Sequence, residues 1–187
     1  MTDQEKHPVI ISAKRTPVGR FLGGLSRVPA PTLGSLAIQS ALEAIGLDGG
    51  EVDECVMGCV LQAGLGQNPA RQAGLKAGLP PTLSAVTVNK VCGSGLQAVM
   101  QAVQSINAGD NNVVVAGGME NMSKAPHLAN VRSGIKFGNG ELIDHMMHDG
   151  LTCAFEGWGM GNAAEWTATE FNISREAQDE LAANSHK

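Results

Sequence analysis

The sequence is poor in aromatic residues, basic residues and long apolar runs, and each shortage excludes something. Tyrosine is absent, and only two tryptophans and four phenylalanines occur among 187 residues that include 24 glycines. The core is therefore predicted to rest on close backbone packing rather than on large rings. Thirteen Lys and Arg against 18 Asp and Glu, with no basic run, argue against nucleic acid as the main partner. No stretch reaches the length of about 18 apolar residues that a membrane-spanning helix needs.

Patterns for metal and phosphate binding are also missing. The glycine-rich residues 62–69 match neither the dinucleotide-binding pattern nor the P-loop pattern. Cys55 and Cys59 lie four residues apart without a nearby histidine or third cysteine, so buried strand residues are predicted instead of zinc ligands. His145 and His148 are likewise predicted to bind no metal. The four cysteines, and an N-terminus unlike a secretory or transit peptide, predict free thiols and a cytoplasmic protein.

Apolar runs and helical patterns alternate along residues 1–118, which we predict to form one core domain. Four runs predict strands, at residues 9–13, 51–61, 86–91 and 112–118. Three helical patterns lie between them: from Thr32, as N-cap, to Gly46; from Pro69 to Gly78; and from Cys92 past Ile106. Crossovers of this kind predict an α/β fold with a mostly parallel sheet covered on both faces.

The character of the chain changes after residue 118. Residues 119–150 are rich in Ser, Pro, Gly and Asn and show no strong period, which is typical of a functional or interface loop. Helices are predicted at residues 163–171 and, with Ser174 as N-cap, from residue 175 onward. This last helix has no stop signal, so we expect the sequence to be a fragment of a longer protein.

Cys92 stands between a β-branched run and a helical stripe. The stripe consists of Leu96, Val99, Met100, Val103 and Ile106, with small residues on the other face at Ala98, Ala102 and Ser105. No charged residue occurs between Lys90 and Asp110, so a buried helix is predicted, with the small face open to a close approach by another helix.

A cysteine at the N-terminus of a helix has two interpretations. Backbone N–H groups and the helix dipole favour a thiolate there, and Gly93 and Gly95 leave room for amides to hold a developing oxyanion. Alternatively, Cys92 is a small apolar residue at a tight turn, as most free cysteines are. The residues by themselves leave both interpretations open.

Several separated motifs favour the interpretation of Cys92 as a nucleophile. The stretch Val88-Asn-Lys-Val-Cys-Gly-Ser-Gly-Leu-Gln-Ala-Val99 resembles the acyl-enzyme signature of the thiolases, the acetyl-CoA acetyltransferases and 3-ketoacyl-CoA thiolases. The resemblance continues through four further blocks: Arg15-Thr-Pro-Val-Gly-Arg-Phe, Gly66-Gln-Asn-Pro-Ala-Arg-Gln, Gly117-Gly-Met-Glu-Asn-Met-Ser and Asp149-Gly-Leu-Thr. It spans nearly the whole chain. The last two blocks favour a thiolase over a β-ketoacyl synthase-like condensing enzyme.

The resemblance implies roles for three residues. Cys92 would be the nucleophile that accepts an acyl group from acetyl-CoA or another acyl-CoA, which divides a Claisen condensation into two easier steps. Leu151 and Met160 match positions that line the pantetheine pocket. No cofactor would be bound permanently, because coenzyme A is substrate and product. The chain departs from many family members at Gly159, where a histidine is common, and at Cys153, where an aspartate is common.

The resemblance also implies that part of the catalytic apparatus is elsewhere. Thiolases have a layered α/β/α/β/α architecture and assemble as a dimer of dimers, and residues 119–187 would begin their loop domain, including the tetramerisation loop. The C-terminal half supplies a Gly-His-Pro histidine and a Cys-x-Gly cysteine, and neither motif occurs here. The alternative is a catalytically incomplete domain that only binds coenzyme A or dimerises.

Overall fold

The computed structural model describes residues 7–187, and the chain divides into two compact units after Met146. The charged residues that begin the chain, on which the cytoplasmic prediction partly depends, fall almost entirely outside the described part. Within residues 7–187, no helix is both long and apolar enough to cross a membrane.

The first unit is built on a three-stranded parallel sheet. Its strands are β1 (Glu54–Gly58), β2 (Ser84–Val88) and β3 (Val114–Gly118), in the order β2-β1-β3. The register places Val56 of the central strand between Val86 and Ala116. Parallel neighbours require crossover connections, and helices supply two of them. The predicted α/β fold with a parallel sheet is confirmed.

Three helices belong to this unit, and their ends follow local sequence signals. They are α1 (Ala30–Glu43), α2 (Pro69–Lys76) and α3 (Ser94–Ala108). α2 begins at Pro69, as predicted, because proline suits a first helical turn. α1 ends before Gly46, whose φ is +64°. The predicted cap Thr32 is wrong, because Thr32 already lies inside α1 and Pro29 occupies the N-cap position.

The two faces of the sheet are covered differently. On one face, α1 and α2 pack over Cys55, Met57 and Cys59, which are almost completely buried. These two cysteines are therefore buried strand residues, as predicted. The opposite face carries Gly58, which lies directly against the start of α3.

Within this chain, α3 is buried on one face only, whereas a buried helix was predicted. Its small residues Ala98 and Ala102 face the sheet and are buried, so the sheet, and not another helix, approaches them closely. The larger side chains point away from the sheet: Leu96 is 67% exposed, and Met100 and Val103 are at least 40% exposed. The sequence period could not distinguish these faces, because both are apolar.

The strand predicted at residues 9–13 is also wrong. This segment has no regular secondary structure, and Ile10 is 79% exposed. A strand exists only through hydrogen bonds to a neighbour. Neither outer strand of the described sheet pairs with this segment, so its apolar residues remain uncovered.

The remainder of the chain contains short elements. A 3₁₀ turn (Met122–Lys124) precedes an antiparallel pair, β4 (His127–Leu128) and β5 (Ile143–Asp144). A π-helix (Met146–Leu151) crosses the boundary between the units, followed by α4 (Met160–Glu170) and α5 (Arg175–Ser185). Ser174 caps α5 by accepting a hydrogen bond from the Ala177 amide, as predicted. α5 ends at Ser185.

Candidate active site

Cys92 lies in the turn that joins β2 to α3. β2 ends at Val88, Gly93 is the N-cap of α3, and the helix begins at Ser94. The Cys92 residue is exposed. The structure therefore places it at the N-terminal end of α3, above the carboxyl end of a parallel strand, where open α/β sheets bind their ligands.

Backbone hydrogen bonds close this turn. The Gly93 amide donates to the Lys90 carbonyl and the Ser94 amide to the Val91 carbonyl, each at 3.1 Å. The Gly93 amide is therefore used within the turn rather than presented to a ligand.

Two side chains reinforce the same turn. The Ser94 hydroxyl accepts a hydrogen bond from the Lys90 amide at 2.8 Å and donates one to the Val91 carbonyl at 2.6 Å. The Asn89 carboxamide oxygen accepts a hydrogen bond from the Val91 amide at 3.0 Å. Each polar group of the Val91 backbone thus has a side-chain partner immediately beside the candidate nucleophile.

The backbone of Val91 is strained. Its φ is +50°, in the left-handed region that β-branched residues rarely adopt. Strain of this kind costs about 1–3 kcal/mol and persists only when neighbouring interactions hold it. The Asn89 oxygen, which accepts from the Val91 amide, and the Ser94 hydroxyl, which donates to the Val91 carbonyl, provide that support. The positive φ of Val91 lies in the short turn between β2 and α3.

Three glycines bring the turn against the sheet. A Cβ on Gly58 would lie 2.6 Å from the Ser94 carbonyl carbon and 2.7 Å from the Gly95 nitrogen. A Cβ on Gly118 would lie 3.3 Å from the Gly95 Cα. Glycine at the ends of β1 and β3 therefore lets the first turn of α3 lie directly on the backbone of the sheet.

The start of α2 is tied to β2. Asn68, with a φ of +42°, accepts hydrogen bonds from the Arg71 amide and from the Thr87 hydroxyl, the latter at 2.8 Å. The Thr87 oxygen in turn accepts one from the Ala70 amide at 2.9 Å. This network fixes the Gly66-Gln-Asn-Pro-Ala-Arg block to the strand that leads to Cys92.

Glu120 holds the segment that follows β1. Its carboxylate accepts hydrogen bonds from the Val60 and Leu61 amides at 2.8 and 3.2 Å, and the Cys59 Sγ lies 3.7 Å from it. Burial, and next the negative charge of Glu120, raise the pKa of the Cys59 thiol to about 12. Cys59 is thus kept protonated and is not a competing nucleophile.

A cavity of about 430 Å³ lies beside the Arg15-Thr-Pro-Val-Gly-Arg-Phe block. That block and residues 118–123 supply much of its wall, to which Lys14 and Arg20 contribute cationic side chains. Cys92 is not among the lining residues. Close to the cavity, Asn121 holds the preceding loop by donating hydrogen bonds to the carbonyls of Leu25, Ser26 and Val28.

The second unit contains the two predicted pantetheine-pocket residues and brings them together. Leu151 ends the π-helix and Met160 begins α4. Thr152 and Gly159 form an antiparallel bridge, so Leu151 and Met160 flank it as neighbours. Within the same loop, hydrogen bonds from the amides of Glu156 and then Phe155 lower the pKa of the Cys153 thiol.

Two histidines, His145 and His148, have hydrogen-bond partners within the chain. His145 is buried, and its Nε2 accepts a hydrogen bond from the Ala63 amide at 3.4 Å. His148 Nδ1 lies 2.9 Å from a carboxylate oxygen of Asp149. Across residues 7–187, no group of three or more His, Cys, Asp or Glu side chains is arranged to hold a metal ion.

Sequence reasoning missed the residues that shape the turn. An asparagine two residues before its partner amide is an ordinary Asx-turn signal, so Asn89 was available from the sequence. Gly58, Gly118 and Ser94 were not, because their importance depends on which element lies opposite them.

Comparison with known proteins matches nearly the whole chain to one family. A family model for the thiolase N-terminal domain covers residues 8–187. An acetyl-CoA acetyltransferase of Cupriavidus necator is 54% identical over 178 residues, which are 95% of this chain and 45% of that protein. One from Escherichia coli is 53% identical over 97% of this chain and 47% of its own length. A probable acetyl-CoA acyltransferase of Staphylococcus aureus is 51% identical over 96% and 46%.

The chain thus spans about half the length of the curated relatives it matches. The matched part includes the β2–α3 turn, the glycine contacts and the loop that carries Leu151 and Met160. The chain belongs to the thiolase family and contains its N-terminal domain.

Proposed function

We propose that this chain is the acyl-accepting part of an acetyl-CoA C-acetyltransferase. Cys92 is its nucleophile, and the complete protein condenses two acetyl-CoA into acetoacetyl-CoA or cleaves a 3-ketoacyl-CoA in the reverse direction. The observation that carries the proposal is the exposed Cys92 on a rigid strand-to-helix turn packed against the backbone of the sheet. The matching thiolase N-terminal domain and the named relatives support it.

The first half-reaction is an acyl transfer. The Cys92 thiolate attacks the thioester carbonyl of acetyl-CoA and forms a new carbon–sulfur bond. The bond between that carbonyl carbon and the sulfur of coenzyme A breaks, and the departing thiolate takes up the proton that Cys92 lost. The products are acetyl-Cys92 and free coenzyme A, so atoms and charge balance.

The second half-reaction makes or breaks the carbon–carbon bond. In synthesis, the α-carbon of a second acetyl-CoA loses a proton, attacks the acetyl-Cys92 carbonyl and releases the Cys92 thiolate. By resemblance to the thiolases, the cysteine of a Cys-x-Gly motif would hold that proton, and the histidine of a Gly-His-Pro motif would activate Cys92. Neither motif occurs in the sequence. We therefore assign the acid–base step to residues outside this chain.

The exposed apolar surface of α3 supports completion by a further polypeptide segment. Leu96, Met100 and Val103 form one exposed stripe, and the apolar residues 9–11 are also uncovered. Contiguous apolar surface of this kind is unfavourable in water and marks a place where protein packs. The missing half of the thiolase is the expected occupant, because this chain covers less than half of each named relative.

Substrate binding is assigned to the second unit. Leu151 and Met160 are apolar and adjacent, which suits contact with the pantetheine arm of coenzyme A. Residues 119–187 form the start of a loop domain in this proposal. The complete protein assembles as a dimer of dimers in the cytoplasm and uses coenzyme A only as substrate and product.

Mass spectrometry tests the assignment. The parent protein for this test is the complete protein with its C-terminal half, because this chain alone is expected to be inactive. Its intact mass is measured before and after addition of acetyl-CoA, and any adduct is mapped by peptide digestion. One acetyl group on Cys92 is expected, and Cys92→Ser should take none. A parent protein that acquires no acetyl group, or only one on Cys153, would overturn the catalytic proposal. Binding of coenzyme A without acetylation would instead favour a binding or dimerisation module.

A further inference from the structure

We propose that Ser94 is a positioning residue for acyl transfer to Cys92. This inference rests on the proposed function of Cys92, and it concerns a side chain that does not touch the substrate. Ser94 is 4% exposed, so its hydroxyl is inside the protein and not part of the open site. Its role follows from the groups that the hydroxyl connects.

The hydroxyl bridges two peptide groups of the turn that leads to Cys92. It accepts a hydrogen bond from the Lys90 amide at 2.8 Å and donates one to the Val91 carbonyl at 2.6 Å. Only a group that both donates and accepts can make this pair of contacts. Alanine keeps the Cβ but can make neither contact, so replacement would leave the Lys90 amide without this partner.

This bridge supports a conformation that is unfavourable by itself. Val91 has a φ of +50°, and the direction of the Val91 carbonyl determines where the next residue, Cys92, is placed. Without the hydroxyl, Val91 loses one of the interactions that hold it at positive φ, and relaxation toward negative φ, the normal region for a β-branched residue, becomes easier. The Cys92 thiol would then move relative to the helix.

Ser94 also connects the turn to the sheet. The Ser94 backbone packs so closely on Gly58 that a Cβ added to Gly58 would lie 2.6 Å from the Ser94 carbonyl carbon. One end of Ser94 is thus fixed on the central strand, and its hydroxyl is fixed on the turn that carries Cys92. Ser94 thereby fixes the position of Cys92 relative to β1.

The expected effect is on the rate of transfer rather than on substrate binding. Misplacement of a reacting group by about 1 Å costs up to about 100-fold in rate. For Ser94→Ala, we expect the maximal single-turnover rate of Cys92 acetylation to fall about 10-fold to 100-fold. The acetyl-CoA concentration that gives half the maximal rate should change by less than about 2-fold.

Ser105→Ala is the matched control. Ser105 lies on the same helix, and its hydroxyl donates to the Ala102 carbonyl at 3.1 Å and accepts from the Asn111 side chain at 3.1 Å. Its removal deletes a comparable pair of hydrogen bonds far along α3 from Cys92. Urea denaturation measures whether the two variants have the same free energy of unfolding. Cys92 in Ser105→Ala should be acetylated at the parental rate.

Two further measurements separate positioning from folding and from the proposed function. The first is the alkylation of Cys92 by iodoacetamide, a small reagent with little demand for orientation. The second is hydrogen exchange of the Lys90 amide, which is predicted to be protected in the parent protein and at least about 10-fold faster in Ser94→Ala. Neither measurement requires acetyl-CoA.

The outcomes decide between the possibilities. A selective fall in maximal acetylation, with alkylation changed by less than about 3-fold, supports positioning. Equal losses of acetylation and alkylation in Ser94→Ala, or parental acetylation, would overturn it. If the parent takes no acetyl group, the proposed function fails by itself, and protection of the Lys90 amide still decides whether the Ser94 bridge exists. An unprotected Lys90 amide in the parent would refute the inference without any variant.

Discussion

The contact between Gly58 and α3 allows a quantitative prediction. In Gly58→Ala, the new methyl would lie 2.6 Å from the Ser94 carbonyl carbon, and 2.7 Å from both the Gly95 nitrogen and the Ser94 Cβ. Carbon atoms in contact are normally about 3.5–4.0 Å apart. Each overlap is therefore about 1 Å, and two of the three partners are backbone atoms that no side-chain rotation can remove.

The magnitude follows from these overlaps. Inserting a methyl into a tightly packed site costs about 1–3 kcal/mol, and a backbone contact belongs at the upper end of that range. Alanine in place of glycine returns about 0.5–1 kcal/mol by reducing the entropy of the unfolded chain. The net loss in the free energy of unfolding should be about 2 kcal/mol. Separation of α3 from the sheet should also change the alkylation rate of Cys92.

Gly95→Ala is the control, because Gly95 lies on the other side of the same contact. Its added Cβ would be 3.8 Å from the nearest atoms, an ordinary distance, and Gly95 is helical. The variant should be as stable as the parent or up to about 1 kcal/mol more stable. Urea denaturation followed by circular dichroism measures both, with alkylation performed in a Cys153→Ser background. Equal stability of Gly58→Ala and the parent would refute the close packing described here.

Two further predictions concern thiol ionisation and the loop beside the cavity. Burial raises the pKa of Cys55 and of Cys59 to about 12, whereas an unperturbed thiol ionises near 9.0, so stability is fully present below about pH 9 and is lost as pH rises toward 12. Between those pH values, each thiol should lower the free energy of unfolding by about 1.4 kcal/mol per pH unit. Urea denaturation that shows no fall in this free energy would contradict the prediction. Asn121→Asp removes the amide donor to the carbonyls of Leu25, Ser26 and Val28, and should cost about 1–3 kcal/mol and expose that loop to proteolysis. Unchanged cleavage there would argue against the anchor.

The local features of the fold were predicted correctly from the sequence. Pro69 starts α2, Gly46 follows the end of α1, and Ser174 caps α5, because each signal acts through neighbouring residues. The apolar runs likewise predicted β1, β2 and β3, and their crossover spacing predicted a parallel sheet. The position of Cys92 before α3 followed from the change of period between strand and helix.

Two of the wrong predictions, for residues 9–13 and for α3, concern contacts between distant segments. Residues 9–13 have the composition of a strand, but a strand needs a hydrogen-bonded neighbour and the described sheet provides none. α3 has two apolar faces, and only the position of the sheet determined that Ala98 and Ala102 would be buried while Leu96 would be exposed.

The sequence by itself determined the family, predicted Cys92 as the nucleophile and placed it between a strand and a helix, because these are properties of contiguous motifs. The tertiary structure decided how the nucleophile is held. Val91 at positive φ, the Ser94 bridge and the close approach of Gly58 all depend on β1 lying beneath the start of α3. Residues more than thirty positions apart meet there, and the interactions exist only because the parallel sheet brings the ends of its strands to one edge.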